Sequence, residues 1–228
     1  MRLKNILLGV AISLCSAAGW AQRTYEPHFS VGGKIGSTFS TMAFAPTIEQ
    51  SNLQGFSIGA MARYTEEKYF GIVAELNIEQ RGWKEQFDET DFTYQRRLTY
   101  IQLPVMTHIY FGSDKVKGFV NLGPSVGYMI SDAISSNFDY QNPTNVNGFP
   151  IANRHVNQMS MDIKNKIDYG ICAGAGMELT FNRKHSFLLE GRYYYGLGNI
   201  FSAKKSDEFS ASRGTSIQVS LGYMFHLK

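Results

Sequence analysis

The last segment of the chain alternates between apolar and polar residues. In residues 216–227 every second position is apolar and the positions between are small or polar, with Met224 the one exception. A period of two is typical of a β-strand with one apolar and one polar face. Seven other segments share the pattern, so the sequence predicts eight strands: 29–36, 54–64, 69–81, 99–111, 116–129, 168–181, 186–196 and 216–227.

The connections between these strands alternate in length. Residues 65–68, 112–115 and 182–184 are short polar turns, whereas residues 37–53, 82–98, 130–167 and 197–213 are long. Short turns at one end and long loops at the other are typical of outer-membrane barrels, with turns in the periplasm and loops outside. The sequence therefore predicts an all-β fold, an eight-stranded antiparallel transmembrane β-barrel whose apolar face contacts lipid.

Two further features refine this prediction. Aromatic residues cluster near both ends of the strands, among them Trp83 and Tyr100 near the long loops and Tyr110 near the short turns. Rings of this kind prefer the two membrane interfaces, which predicts two aromatic belts. Within the longest loop, residues 156–166 are expected to form an additional hairpin arm.

The N-terminus has the pattern of an export signal. Arg2 and Lys4 precede an apolar stretch, residues 6–18, which is too short to cross a membrane as a helix. Gly19 and Ala21 then supply small residues before an expected cleavage site. The prediction is a signal peptide at residues 1–21 and one barrel domain at residues 22–228. Lipidation at Cys15 is disfavoured because the bulky Leu14 precedes it.

Composition excludes several classes of protein. Hydrophobic residues make up 43% of the chain and the mean hydropathy is −0.21, too polar for a helical membrane protein. The net charge of +3 falls to +1 when Arg2 and Lys4 are removed, so no nucleic-acid partner is expected. Only Cys172 remains after processing, which leaves no intramolecular disulfide.

Placing the apolar residues of each strand outside collects ionisable residues inside. Charges confined in a narrow tube must pair, because an unpaired buried charge is costly. We expect a lattice of salt bridges that fills the lumen and has a structural role; a proton or ion path is the alternative. Its predicted members are Lys34, Arg63, Glu75, Glu79, Arg81, Asp168, Glu178, Glu190 and Arg192.

The sequence gives little sign of catalytic chemistry. A lipid-modifying enzyme would need a serine, a histidine and an acid close together, and His108 and His226 are the candidates. No acidic partner is identifiable for either, so they are interpreted as polar fillers. Cys172 is interpreted as a small buried residue. No catalytic, cofactor-binding or metal-binding residue is predicted, and the protein is expected not to be an enzyme. Lys164, Lys166, Lys204 and Lys205 in the long loops are interpreted as solvated charges.

Five segments together resemble the PorT-like outer-membrane β-barrel family of Bacteroidetes. The resemblance covers almost the whole mature chain, and it implies an eight-stranded barrel in the outer membrane. One named member of that family is associated with type IX secretion, which implies a possible link with protein secretion. The segments are 74–82 (AELNIEQRG), 100–105 (YIQLPV), 122–128 (LGPSVGY), 168–178 (DYGICAGAGME) and 189–193 (LEGRY).

Three functions remain open at this point. The leading hypothesis is a small barrel with a plugged lumen and a structural or accessory role in the cell envelope of a Gram-negative bacterium. The alternatives are a narrow pore or ligand-carrying barrel, and a lipid-modifying enzyme. Expected partners are outer-membrane lipid, the barrel-assembly machinery through the C-terminal strand, and envelope or secretion proteins.

Overall fold

The computed structural model describes residues 27–87, 90–150, 154–203 and 208–227. The predicted signal peptide, Cys15, Lys204 and Lys205 lie outside the described residues. Within them, no helix is long and apolar enough to cross a membrane.

Strands dominate the described chain. Eight are long, and β2 has only two residues. One 3-10 turn (Pro143–Asn145) and one single-turn helix, α1 (Asn157–Ser160), lie in the longest loop. The strands are β1 (His28–Ala45), β2 (Gln50–Ser51), β3 (Leu53–Glu67), β4 (Phe70–Glu85), β5 (Tyr94–Gly112), β6 (Val116–Ser136), β7 (Ile167–Phe181), β8 (His185–Gly196) and β9 (Ala211–His226).

The eight long strands close into a ring. Consecutive long strands pair antiparallel, and β1 pairs with β9 from Ser30 opposite His226 to Ala45 opposite Ala211. The short β2 adds to β4 above the ring. The prediction of an eight-stranded antiparallel barrel is therefore confirmed. Closure leaves neither end of the sheet unpaired, which a hydrocarbon environment requires.

The outward side chains form an apolar belt, which we call the outer band. It runs from Phe70 to Ile78 on β4 and from Ile101 to Phe111 on β5, and equivalent residues continue it around the barrel. A band of exposed aliphatic and aromatic residues is typical of a lipid-facing surface. The band reaches the short turns at one end and stops well below the long loops at the other.

Several strands continue beyond the outer band, which the sequence prediction missed. β1 ends at Ala45 rather than at residue 36, β5 begins at Tyr94 rather than at 99, and β6 ends at Ser136 rather than at 129. In these extensions the polarity is reversed. On β1, Met42 and Phe44 point inward and are buried, whereas Thr41 and Ala43 point outward. Above the lipid the outer face meets water, so the apolar residues pack inside.

Three aromatic residues assigned to the belts lie elsewhere. Trp83 is 0% exposed and packs among the long loops, and Tyr100 and Tyr110 are buried on the inner face. The belt prediction is therefore wrong for these residues, although Tyr128 and Tyr169, about half exposed, point outward. The expected hairpin arm at residues 156–166 is also wrong: the described residues there contain α1 and irregular chain but no strand.

Candidate functional site

All nine ionisable residues predicted to face the lumen lie inside the barrel and are buried. Each has an oppositely charged atom within 4.0 Å. They form three tiers along the barrel axis, which we call the lower, middle and upper tiers, counted from the short turns.

The middle tier is centred on Arg192 of β8. Its guanidinium donates to both carboxylate oxygens of Glu75, at 2.8 and 2.7 Å, and to Glu190 at 2.7 Å. Lys34 Nζ lies 2.6 Å from Oε2 of the same Glu75 carboxylate. Two amides complete the tier, since Asn77 donates to Glu75 and Asn121 donates to Glu190. Two cations and two carboxylates thus balance within one layer.

The upper tier is centred on Arg81 of β4. Arg81 lies 3.0 Å from Asp168 and 3.3 Å from Glu79. Its guanidinium also stacks between two rings, 4.5 Å from the centre of Tyr100 and 4.1 Å from that of Tyr194. A guanidinium favours such a position because its flat faces are weakly hydrated. The Tyr194 hydroxyl donates to Asp168 at 2.8 Å, which fixes the carboxylate as well.

The lower tier joins Arg63 of β3 to Glu178 of β7. Arg63 donates to both oxygens of Glu178, at 2.6 and 2.9 Å. His108 lies 3.3 Å from Arg63 through Nε2 and 2.7 Å from Asn121 through Nδ1, so it links this tier to the middle one. An apolar cluster that includes Phe119 fills the remaining space.

Glycines on the inner face make room for these charged side chains. A Cβ at Gly174 would meet Glu190 Oε1 at 2.7 Å, and a Cβ at Gly59 would collide with the Asn77 amide. Larger residues at these positions would displace members of the lattice. The small residues and the long polar residues of the inner face thus form one packed arrangement.

The described parts of the long loops pack into a cap above the upper tier. Its centre holds Trp83, Phe44, Phe201 and Phe209, and the Trp83 ring lies 5.4 Å from Phe44 in an edge-on contact. A second aromatic group includes Phe138 and lies towards the loop tips. Aromatic clusters of this kind bury large areas and hold loops in one arrangement. We call this unit the loop cap.

Two polar connections fasten the loop cap to the strands. Arg96 of β5 pairs with Asp132 at 2.6 Å and donates to the Met161 carbonyl at 2.7 Å. Glu85, at the end of β4, accepts a hydrogen bond from Gln158 at 2.8 Å. Glu85 lies beyond the outer band, which ends at Ile78 on that strand. Burial raises the pKa of the Glu85 carboxyl to about 7, although hydrogen bonding by Gln158 and the charge of Arg154 oppose the rise.

At the opposite end the lumen opens into a pocket of about 440 Å³, which we call the mouth pocket. The short turns surround it, so it faces the periplasm in the usual orientation of such barrels. Its wall contains a chain of hydrogen bonds: His226 Nδ1 lies 2.7 Å from the Ser30 hydroxyl and Nε2 lies 2.6 Å from that of Ser186. Among the described residues, Glu178 is the carboxylate within 4.0 Å of His226, at 3.6 Å from Nε2.

That contact between His226 and Glu178 corrects the sequence interpretation, which found no acidic partner for His226. The partner lies on β7, 48 positions earlier in the chain, and the pairing of both β7 and β9 with β8 brings the two together. Sequence reasoning also missed Glu85, Arg96 and the hydroxyl groups of the mouth pocket. Cys172 is buried and free. Among the described residues, no three His, Cys, Asp or Glu side chains are grouped as a metal site would require.

Comparisons with known proteins agree with the architecture. The model of the family described as outer membrane protein beta-barrel domain matches residues 20–202. No curated protein matches the sequence significantly. Among solved structures, the outer membrane protein OprG from Pseudomonas aeruginosa aligns with a TM-score of 0.51 at 9% identity, covering 88% of this chain and 95% of that one.

Two other solved structures align over similar lengths. Neisserial surface protein A aligns with a TM-score of 0.48 at 12% identity, covering 86% of this chain and 96% of that one. Ail, the attachment invasion locus protein of Yersinia pestis, aligns with a TM-score of 0.42 at 13% identity, covering 86% and 98%. At these identities the similarity to OprG shows a shared fold and nothing about activity.

Proposed function

Because the chain belongs to the outer membrane protein beta-barrel domain family, and is thus a small barrel of the Gram-negative outer membrane, we propose that it is a closed, non-conducting barrel. It has a structural or accessory role in the cell envelope. In this role the barrel holds the loop cap at the outer surface and the mouth pocket at the inner one.

The observation that carries the proposal is the filling of the lumen. Arg192 reaches Glu75 from the opposite side of the ring, and Arg63 reaches Glu178 in the same way. Paired side chains that cross the full width leave little space for a column of water or ions. The loop cap supports the same conclusion, because its aromatic centre lies over the outer end of the lumen.

Single-channel recording in planar lipid bilayers tests the closed state. We expect the refolded wild-type barrel to insert without discrete conductance steps. A variant with Arg192, Glu75 and Trp83 all changed to alanine opens both the lattice and the cap, and should show steps. A heat-dependent shift on a detergent gel verifies that each sample is folded. Discrete steps from the wild type would contradict the proposal and favour the narrow-pore alternative.

The accessory role extends to protein secretion through the resemblance to the PorT-like family. In-cell crosslinking, followed by affinity purification through a tag placed in the loop between Ser136 and Ile167, tests this link, because many described residues of that loop are exposed. Recovery of secretion or other envelope proteins supports an accessory subunit. Recovery of the barrel alone would make it a stand-alone surface protein.

A lipid-modifying activity is disfavoured by the surroundings of His226. Its closest acid, Glu178, already accepts two hydrogen bonds from Arg63, and both imidazole nitrogens contact serine hydroxyls. A catalytic histidine needs an acid free to orient it. We expect His108→Ala and His226→Ala cells to keep the wild-type lipid A and phospholipid profiles. A changed profile in either strain would restore the enzyme hypothesis.

A further inference from the structure

The mouth pocket has the features of a ligand site. Its volume of about 440 Å³ lies in the range of small-molecule sites, and it opens among the short turns. Behind it, the Arg63–Glu178 pair and the buried ring of Phe119 close the way into the lumen. A molecule that enters therefore stays at the periplasmic side, which favours binding over transport.

The mouth pocket is lined by more cationic side chains than carboxylates. Arg63, Lys117 and Arg183 line the pocket against two carboxylates, Asp114 and Glu178. Glu178 is already held by Arg63 at 2.6 Å. Lys117 and Arg183 have no carboxylate within 4.0 Å among the residues that the structure describes. Two cations thus face the cavity without an ion-pair partner from the described protein.

Lys117 is held in position without such a partner. It is only partly exposed, and its ammonium lies 5.1 Å from the centre of the Tyr110 ring. Lys117 lies opposite Glu178 in the β6–β7 register, and with no described carboxylate within 4.0 Å its ammonium can still donate to a ligand. The Thr65 hydroxyl also lines the pocket and can donate to an oxygen-rich ligand, whereas the hydroxyls of Ser30 and Thr180 are hydrogen-bonded to His226 and Ser186.

Arg183 occupies a backbone position that suits glycine better. Asn182 and Arg183 are the two central residues of a β-turn closed by the Lys184 N–H donating to the Phe181 carbonyl, and both have positive φ angles, of 49° for Asn182 and 56° for Arg183. Such turns favour Asn followed by Gly, because a side chain at the second position is strained. The chain thus retains a strained arginine at the rim of a cavity, which fits a role for its guanidinium in binding.

We propose that the mouth pocket binds a phosphate-bearing anion from the periplasmic side, with Lys117 and Arg183 as its charged contacts. The phosphate belongs either to a soluble ligand or to the headgroup of a phospholipid in the inner leaflet. The proposal is independent of conductance, since a closed barrel and a pore can both carry such a pocket.

Isothermal titration calorimetry with inorganic phosphate tests it on the whole barrel in an uncharged maltoside detergent. We expect saturable binding by the wild type and about a tenfold higher Kd for Lys117→Gln, as the loss of one charge-assisted hydrogen bond predicts. Lys115→Gln is the matched control, because Lys115 lies two residues away in the adjacent turn and does not line the pocket. It should bind as the wild type does.

The turn offers a second and sharper pair of variants. Arg183→Gly removes the backbone strain that the positive φ angle imposes, so it should stabilise the barrel or leave its stability unchanged. It also removes the guanidinium, so the Kd for phosphate should rise about tenfold. Asn182→Gly changes the same turn and keeps the guanidinium, so its Kd should stay at the wild-type value. Weaker binding by a more stable variant excludes misfolding as the cause.

Native mass spectrometry distinguishes the two sources of phosphate. One phosphatidylglycerol retained by the wild type after detergent exchange, and lost in Lys117→Gln but kept in Lys115→Gln, identifies a lipid headgroup. Saturable phosphate binding without retained lipid identifies a soluble ligand. The proposal is overturned if the wild type shows neither, or if Lys115→Gln and Asn182→Gly weaken binding as much as their partners.

Discussion

Arg192 and Glu75 face each other across the full width of the barrel. Arg192 lies on β8 and Glu75 on β4, which are four strands apart in either direction around the ring of eight. The two side chains meet through paired hydrogen bonds of 2.8 and 2.7 Å. This contact braces opposite walls, and it lies in an interior where an unpaired charge is costly.

Removing that brace should destabilise the barrel. In Arg192→Met, Glu190 and Glu75 both lose their guanidinium partner, and Glu75 retains Lys34 and the Asn77 amide. We expect the free energy of unfolding to fall by about 3–5 kcal/mol, as for other broken buried ion pairs. Urea unfolding in detergent, followed by loss of the heat-shifted gel band, measures the change.

Lys68→Met is the control for this experiment, because Lys68 is exposed in a short turn. It should change the free energy by no more than about 0.5 kcal/mol. The double variant Arg192→Met with Glu75→Met should lose less than the sum of its single variants, because the two residues contact each other. An additive result would show that the pair is not coupled.

Replacing Trp83 should open the loop cap and spare the barrel. The fully buried indole packs against Phe44 and Phe201, with ring centres 5.4 and 6.3 Å apart. Trp83→Ala should cost about 3–5 kcal/mol, mostly within the cap. Limited trypsin digestion should then cleave the loop near Arg154 and Lys164 faster, while the heat-shifted band persists.

Tyr128→Ala provides the comparison, since Tyr128 is a large aromatic residue that points outward and is 52% exposed. Its loops should resist trypsin as well as those of the wild type. Equal cleavage of both variants would mean that the aromatic centre does not hold the loops.

Glu85 should make the loop cap sensitive to pH. Burial raises the pKa of this carboxyl from 4.5 to about 7 in the folded protein. Between pH 4.5 and pH 7 the Glu85 carboxyl is therefore protonated in the folded cap and ionised in the unfolded chain. The cap is therefore most stable below about pH 4.5, and this stability is lost as the pH rises through 7.

Hydrogen–deuterium exchange of the cap amides at pH 5 and pH 8, corrected for intrinsic rates, measures this effect. Protection should fall at pH 8 in the wild type and stay nearly constant in Glu85→Gln. Glu67→Gln, which removes an exposed carboxyl at the other end of the barrel, should behave like the wild type. The same pH response in all three proteins would assign it to another group.

Close strand contact should make Gly32 hard to replace. A Cβ at Gly32 would collide with the Tyr223 carbonyl oxygen on the neighbouring strand, whereas a Cβ at Gly191 would meet nothing within 4 Å. Gly32→Ala should cost about 1–3 kcal/mol, because the backbone itself would have to move. Gly191→Ala should be close to neutral in the same urea titration, and a similar loss in both would refute the steric argument.

The sequence by itself determined the barrel. Alternation with a period of two placed the strands, and the unequal connections oriented them. The position of each ionisable residue within its strand decided that it faces inward, as with Lys34 and Glu190. These properties depend on local geometry, because successive side chains of a strand point to opposite faces whatever the rest of the chain does.

Only the tertiary structure decided which residues meet. Arg63 and Glu178 are 115 positions apart, and their contact depends on ring closure and on the stagger of eight strands. Only the tertiary structure likewise shows where on each strand the lipid-facing surface ends. Above the outer band the strands still alternate, but there the apolar side chains point inward, so Trp83 packs inside the loop cap instead of facing the membrane. The surrounding solvent, which no local pattern records, sets which face of a strand must be apolar.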